Sequence, residues 1–175
     1  MSLQIAVLDD DELVCRMINA YLRDLDQVNI RVYNNPHKFL DELASFHPHI
    51  LITDIRMPEM DGIEVMKKTK EYDPEIEVIV ISGQADKDIA IQALRMGAFD
   101  LLEKPFEKIE LLESVKRTMR FQQISRERDR LASQVSMLAE RESEGWSIKA
   151  FVGESPQIKS LIESIKIIQG HDTLS

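Results

Sequence analysis

Ile50-Leu51-Ile52-Thr53-Asp54-Ile55-Arg56-Met57-Pro58-Glu59-Met60-Asp61-Gly62 is an apolar run that stops on an acid and then breaks into a turn. A short aliphatic run bounded by turn signals reads as a strand buried on both faces, the kind a parallel sheet uses. Ile50 to Ile52 fit that description, which puts Asp54 near the strand's carboxyl end. In an open α/β sheet ligands bind at that end, and Met57-Pro58 followed by Asp61-Gly62 supplies a turn before the next helix. Taken alone, Asp54 is equally well explained as a turn cap. Its role is decided by what else reaches the same edge.

Upstream, Leu3 to Leu8 form a first strand that ends on Asp9-Asp10-Asp11-Glu12, and Leu13, Val14, Met17, Ile18, Tyr21 and Leu22 then recur at helical spacing. Asn29 to Tyr33 read as a second strand. Pro36 favours a helix start, and Phe39, Leu40, Leu43 and Phe46 line that helix. His47-Pro48-His49 reads as a turn rather than a metal site, since no third ligand lies near it in sequence.

Downstream, Ile63, Val65 and Met66 begin a helix that should stop before Pro74. Ile76 to Ile81 are a buried strand ending on Ser82-Gly83. A helix from about Asp86 to Met96, stopped by Gly97, precedes a fifth strand, Phe99 to Leu102, that ends on Glu103-Lys104-Pro105. Five strands alternating with helices imply an α/β fold: one doubly wound parallel sheet joined by right-handed crossovers.

From Glu107 to Glu144 no Pro or Gly interrupts the chain, which predicts one long helix. Leu111, Leu112, Val115 and Met119 suit the sheet. Phe121, Ile124, Arg128, Leu131, Val135 and Leu138 then follow alternating steps of three and four, a coiled-coil seam that points to a homodimer. Gly145 should end the helix. Ile148 to Val152 suggest a short strand or loop, and Ile158, Leu161, Ile162, Ile165 and Ile168 a further helix. The domains read as 1–120, a helical linker 121–145, and a second unit beginning within 146–175.

Across 175 residues, 22 Lys plus Arg face 31 Asp plus Glu, and the formal charge of -9 argues against a nucleic-acid grip by this stretch. Cys15, the single cysteine, excludes an internal disulfide framework and suits a small buried hydrophobe. No apolar run is long enough for a bilayer and no secretory signal precedes the first strand, which points to the cytoplasm.

A parallel sheet gathers its strand ends on one rim. That brings together Asp9 and Asp10 from strand one, Asp54 from strand three, Ser82 from strand four and Lys104 from strand five. Clustered carboxylates repel one another and favour a divalent cation, and all-oxygen ligation suits Mg²⁺ or Mn²⁺. Asp also serves as a nucleophile toward phosphorus, with metal and lysine neutralising charge on the transferring group and Ser82 placed to donate to it.

These residues resemble the receiver domain of bacterial two-component response regulators. The resemblance spans about Leu3 to Arg120 and includes Asp9-Asp10, Asp54, Met57-Pro58, Asp61-Gly62, Ser82 and Lys104-Pro105-Phe106. It implies a flavodoxin-like fold in which Asp54 accepts phosphate from a sensor histidine kinase. It further implies that Asp10 and Asp54, the main-chain carbonyl of Arg56, and Asp9 in support, hold Mg²⁺, while Ser82 and Lys104 contact the phosphoryl group. Many receivers carry Tyr or Phe three residues before the lysine; here that position is Leu101.

Phe151-Val152-Gly153-Glu154-Ser155 and the helix after it look like the opening of the AAA+ domain of nitrogen-regulatory-type activators of sigma-54 promoters. That resemblance implies a transcription activator whose DNA contacts lie in another domain. No G-x-x-x-x-G-K-[ST] phosphate loop occurs in these 175 residues. A rival reading is a magnesium-dependent phosphatase of the haloacid dehalogenase type, for which Asp9-Asp10-Asp11-Glu12-Leu13 supplies the acids but not the closing Thr or Val.

Overall fold

Alternation along each strand sends successive side chains to opposite faces, and both faces of this sheet are apolar. The computed structural model describes residues 2–151 and Glu163. Its elements run β1 (Leu3–Leu8), α1 (Glu12–Leu22), β2 (Val28–Tyr33), α2 (Pro36–Phe46), β3 (Ile50–Asp54), α3 (Gly62–Tyr72), β4 (Glu77–Ser82), a 3₁₀ turn (Gln84–Asp86), α4 (Lys87–Arg95), β5 (Asp100–Glu103) and α5 (Lys108–Phe151). The five strands form one sheet in the order β2-β1-β3-β4-β5, and every pairing is parallel. The fold expected from the strand and helix alternation is the fold observed.

Ile5, Val7, Ile50, Ile52, Ile79 and Ile81 face α1 and α5, meeting Cys15, Ile18 and Leu22 from one helix and Leu111 and Val115 from the other. Ala6, Leu8, Leu51, Val78 and Val80 point the opposite way, toward Phe39 and Leu43 of α2, Val65 and Met66 of α3, and Ala90 and Ala93 of α4. All five residues of β3 are buried. Each fully buried aliphatic side chain there contributes roughly 1.5–3 kcal/mol relative to exposure, which fits the apolar run Ile50 to Ile52 that opens the central strand.

Helix starts follow local rules. Asp11, Asn35 and Asp61 each sit at an N-cap with extended backbone and accept a hydrogen bond from the first turn of α1, α2 and α3, respectively. Leu13 departs from the expected apolar stripe and is 73% exposed. Cys15, Ile18 and Leu22 define the buried side of α1, and on a helix of 3.6 residues per turn position 13 lies opposite them. The two histidines also part company: the His49 Nδ1 accepts from the Gln4 amide at 2.9 Å, whereas His47 pairs with Asp73 at 3.3 Å.

In α5, Leu111 and Val115 are buried and Leu112 and Met119 pack at the core's edge, as the spacing predicts. The compact sheet unit extends to Gln123, slightly beyond the expected boundary at 120. The buried Gln122 amide explains the extension, donating to the His49 carbonyl at 2.8 Å and the Glu75 carbonyl at 3.2 Å. Gly145 does not end the helix, which runs through it to Phe151. One interior glycine costs only about 1 kcal/mol against alanine, too little to stop a helix with favourable residues on either side. The expected strand or loop at 148–152 is therefore helical as far as Phe151, and the later helix around Ile158 to Ile168 falls outside the described residues.

Gly62 is required by contact rather than by unusual dihedral angles. A Cβ there would lie 2.1 Å from the Asp54 carbonyl oxygen, and the Gly62 amide donates to the Ile55 carbonyl at 2.8 Å. Gly62→Ala is expected to destabilise the chain by about 2–4 kcal/mol, seen as a lower urea midpoint at unchanged slope. A loss below about 0.5 kcal/mol would show that this turn yields easily.

Candidate functional site

The rim is built by strand register. Asp54 lies opposite Ile81 and Ser82 opposite Glu103, so the ends of β3, β4 and β5 finish within one residue of each other. The Ile55 amide donates to the Ile81 carbonyl at 3.0 Å and the Lys104 amide to the Ser82 carbonyl at 2.7 Å, extending the ladder one residue past the strands. The Asp9 amide does the same with the Tyr33 carbonyl at 3.2 Å. These backbone bonds fix where Asp9, Ser82 and Lys104 leave the sheet.

At this edge Asp9 and Asp54 are buried and Asp10 is exposed, and one ligand oxygen from each lies within 4.8 Å of the others. Lys104 reaches across the sheet to join two of them. Its ammonium donates to Asp9 Oδ2 at 2.9 Å and lies 3.1 Å from Asp54 Oδ1. The second oxygen of Asp9 accepts from the Asp11 amide at 2.9 Å. Ser82 is also buried at this edge. The sequence-derived residues Asp9, Asp10, Asp54 and Lys104 thus meet in one cluster, with Ser82 at the neighbouring strand end and Arg56 in the loop that leaves β3.

Electrostatics follow from that packing. Burial raises the Asp54 pKa above the usual carboxylate range, and the negative charge of Asp9 adds to it; Lys104 opposes both without cancelling them. Burial works against the Lys104 ammonium, but its hydrogen bond and attraction to Asp9, joined by Asp54, outweigh burial and hold its pKa above the ordinary value. The site therefore keeps a lysine firmly charged beside a carboxylate that is more basic than usual. Behind it, Cys15 donates from Sγ to the Asp9 carbonyl at 3.2 Å, and burial with the Asp9 charge pushes its thiol up to about 11. Cys15 is structural here, as its surroundings in the sequence suggest.

A divalent cation fits the donor set. Three carboxylates converge, one ammonium compensates only part of their charge, and every candidate donor is oxygen. Asp10 is exposed and open on its solvent side, which suits a hard cation that retains several waters.

Sequence reasoning missed one contact of this neighbourhood. Arg56, just after β3, makes an ion pair from Nε to Asp86 Oδ1, and Asp86 is only 6% exposed. The acid four residues beyond Ser82 was legible as a helix-starting Asp, but nothing in the spacing linked it to Arg56. Leu101 is partly buried against the core, and Phe99 packs its ring at 5.3 Å from that of Phe121 on α5.

Residues 5–116 match the family model described as the response regulator receiver domain. Over 124 residues the chain is 36% identical to the regulatory protein AtoC of Escherichia coli strain K12, covering 71% of this chain and 27% of that one. It is 35% identical over 113 residues to the DNA-binding transcriptional regulator NtrC of the same organism, covering 65% and 24%. The crystal structure of NtrX from Brucella abortus superposes with a TM-score of 0.70 at 27% identity, covering 75% of this chain and 30% of that one. That of FixJ-N gives 0.60 at 29% identity, covering 67% and 94%. The chain thus spans about a quarter of the length of AtoC and NtrC. With the sheet order, the rim of acids and the family match in agreement, the chain belongs to the response regulator receiver domain family.

Proposed function

We propose that Asp54 is the phosphoryl acceptor of a two-component system, modified by a sensor histidine kinase in the presence of Mg²⁺. The observation that carries this reading is the buried Asp54 carboxylate beside Lys104 and within reach of Asp9 and Asp10. An Asp54 oxygen attacks phosphorus, a P–O bond forms, and the bond to the donor's leaving group breaks. Asp9, Asp10 and Asp54, with the Arg56 main-chain carbonyl, would hold the cation, which when bound neutralises charge on the phosphoryl oxygens. Mn²⁺ would serve similarly.

Ser82 and Lys104 would then report the modification. Lys104 is already shared between Asp9 and Asp54, so phosphoryl oxygens on Asp54 would compete for its three donors. The Ser82 hydroxyl would donate to the same group and draw the loop after β4 with it. This is a switch rather than a turnover enzyme. The phosphatase reading draws less support, because Asp11, the second acid of the D-x-D pattern, spends its carboxylate capping α1 through the Leu13 amide at 2.9 Å.

We further propose that output is transcription activation through domains outside this chain, of the sigma-54 type that the stretch from Phe151 resembles, in the cytoplasm. NtrX from Brucella abortus has been solved in complex with ADP and with ATP, which supports that reading. DNA would be contacted by such a further domain, since net charge -9 disfavours it here. Among the described residues no helix is long and apolar enough to cross a membrane.

The homodimer would use α5 past the receiver. Ile124, Leu131, Val135 and Leu138 are 70%, 50%, 66% and 59% exposed, each forgoing roughly 1.5–3 kcal/mol available on full burial. A parallel second copy buries them. Arg128 opposes this as a seam residue, although Asp129 pairs with it at 3.1 Å within its own helix. The association should accordingly be moderate and concentration-dependent.

Acetyl phosphate with millimolar-scale Mg²⁺ is expected to add one phosphoryl group, seen by intact mass, and to add none to Asp54→Asn or in excess EDTA; equal rates with and without metal would sink the metal role. Lys104→Ala should still accept some phosphate while losing the chemical-shift changes around Ser82 and α4 that a phosphoryl mimic produces in the wild type, and a wild-type shift pattern would contradict the reporting role. Sedimentation equilibrium should find the whole chain dimerising at tens of micromolar, a range set by the moderate burial above, while a version ending at Gln123 stays monomeric. Identical behaviour of the two would remove α5 as the interface.

A further inference from the structure

Four helices of the sheet unit begin on an Asx residue, and three of them use it. Asp11 accepts from the Leu13 amide at 2.9 Å, Asn35 from the Lys38 amide at 3.1 Å and Asp61 from the Glu64 amide at 2.8 Å. Asp86 occupies the same place before α4 and makes no such bond. The three capping residues are extended, with ψ of 107°, 127° and 163°, whereas Asp86 has ψ 14°. It is folded into the 3₁₀ turn Gln84–Asp86, its amide donating to the Gly83 carbonyl at 3.0 Å. Its buried carboxylate is turned instead to the Arg56 guanidinium.

The local preference of Asp for an N-cap is therefore overridden by a tertiary ion pair, and the first-turn amides of α4 are left without the side-chain acceptor that the other three helices have. The two partners belong to the two loops that matter: Arg56 follows Asp54, and the turn holding Asp86 follows Ser82-Gly83. For Asp86 to cap α4 its ψ must open toward the extended region, which unwinds that turn. Capping and pairing with Arg56 are thus alternatives for one carboxylate.

We propose that Asp86 is a two-position element, held by Arg56 in this state and transferring to the amides of Asp88 and Ile89 when that pair is broken. A disturbance of the loop after Asp54 then becomes a change in the turn after Ser82 and in the start of α4. Arg56 and Asp86 act as positioning residues; neither touches a reacting atom through its side chain. The transfer needs no metal and no phosphate. Its coupling to phosphorylation rests on the reading of Asp54 given above.

Amide hydrogen exchange followed by NMR on the whole chain, without metal or phosphate, tests the transfer. Arg56→Gln is expected to slow exchange at Asp88 and Ile89 by roughly three- to thirty-fold, the factor matching the usual worth of a helix cap. Asp86→Ala should produce no slowing, and the double variant Arg56→Gln with Asp86→Ala should behave like Asp86→Ala. Unchanged or faster exchange in Arg56→Gln overturns the proposal, and so does equal slowing in Asp86→Ala, which would mean that the loop merely relaxes. Arg56→Met serves as the second variant, with the same slowing expected, should Arg56→Gln fold poorly. A second arm adds beryllium fluoride and Mg²⁺ to the wild type: slowing at the same two amides, absent in Asp86→Ala, supports the coupling. No slowing there, with the Arg56→Gln arm intact, overturns the coupling and leaves the transfer standing.

Discussion

The ammonium of Lys104, shared at 2.9 Å with Asp9 and 3.1 Å with Asp54, is the interaction on which the rim depends. Two buried carboxylates side by side repel strongly in a medium less polarisable than water. One lysine arriving from a strand two places removed from β3 offsets much of that repulsion, and it does so because β3, β4 and β5 end within one residue of each other. Burial, with the Asp9 charge adding to it, keeps the Asp54 carboxyl harder to ionise than usual despite its cationic neighbour. With Asp10 counted as well, three carboxylates share one ammonium, so the rim keeps a net negative charge.

β3 is buried along its whole length, and its loop is pinned where the Gly62 amide meets the Ile55 carbonyl. Close packing leaves the strand itself little room to move. Side chains join the segments at the strand ends instead: Arg56 with Asp86, and Lys104 with Asp54.

The last helix serves two environments with one continuous backbone. Over its first turns Leu111 and Val115 are buried in the sheet's core, and Gln122 ties the end of that stretch to the backbone near His49 and Glu75. Beyond it, the apolar residues are exposed at the spacing of a coiled-coil seam.

The period of the apolar residues determined most of the fold from sequence alone: strand runs too short for helices, buried on both faces, alternating with amphipathic segments leave a parallel α/β sheet as the outcome. The same pattern named Asp9, Asp10, Asp54, Ser82 and Lys104, since strand ends in such a sheet share one edge whatever the details of packing. Other features needed the tertiary structure. Leu13 carries the right residue type for the core but the wrong angle on its helix, and only the placement of Cys15, Ile18 and Leu22 reveals it. Gly145 looked like a stop, yet local propensity is a small term beside the continuity of a long helix. Gln122 and Asp86 were invisible for a common reason: their partners lie far away in sequence, at His49 and Glu75 and at Arg56. Periodicity reports which face a residue occupies, whereas a hydrogen bond or ion pair across 30 or more positions depends on where two loops end in space, and that is decided only when the sheet has assembled.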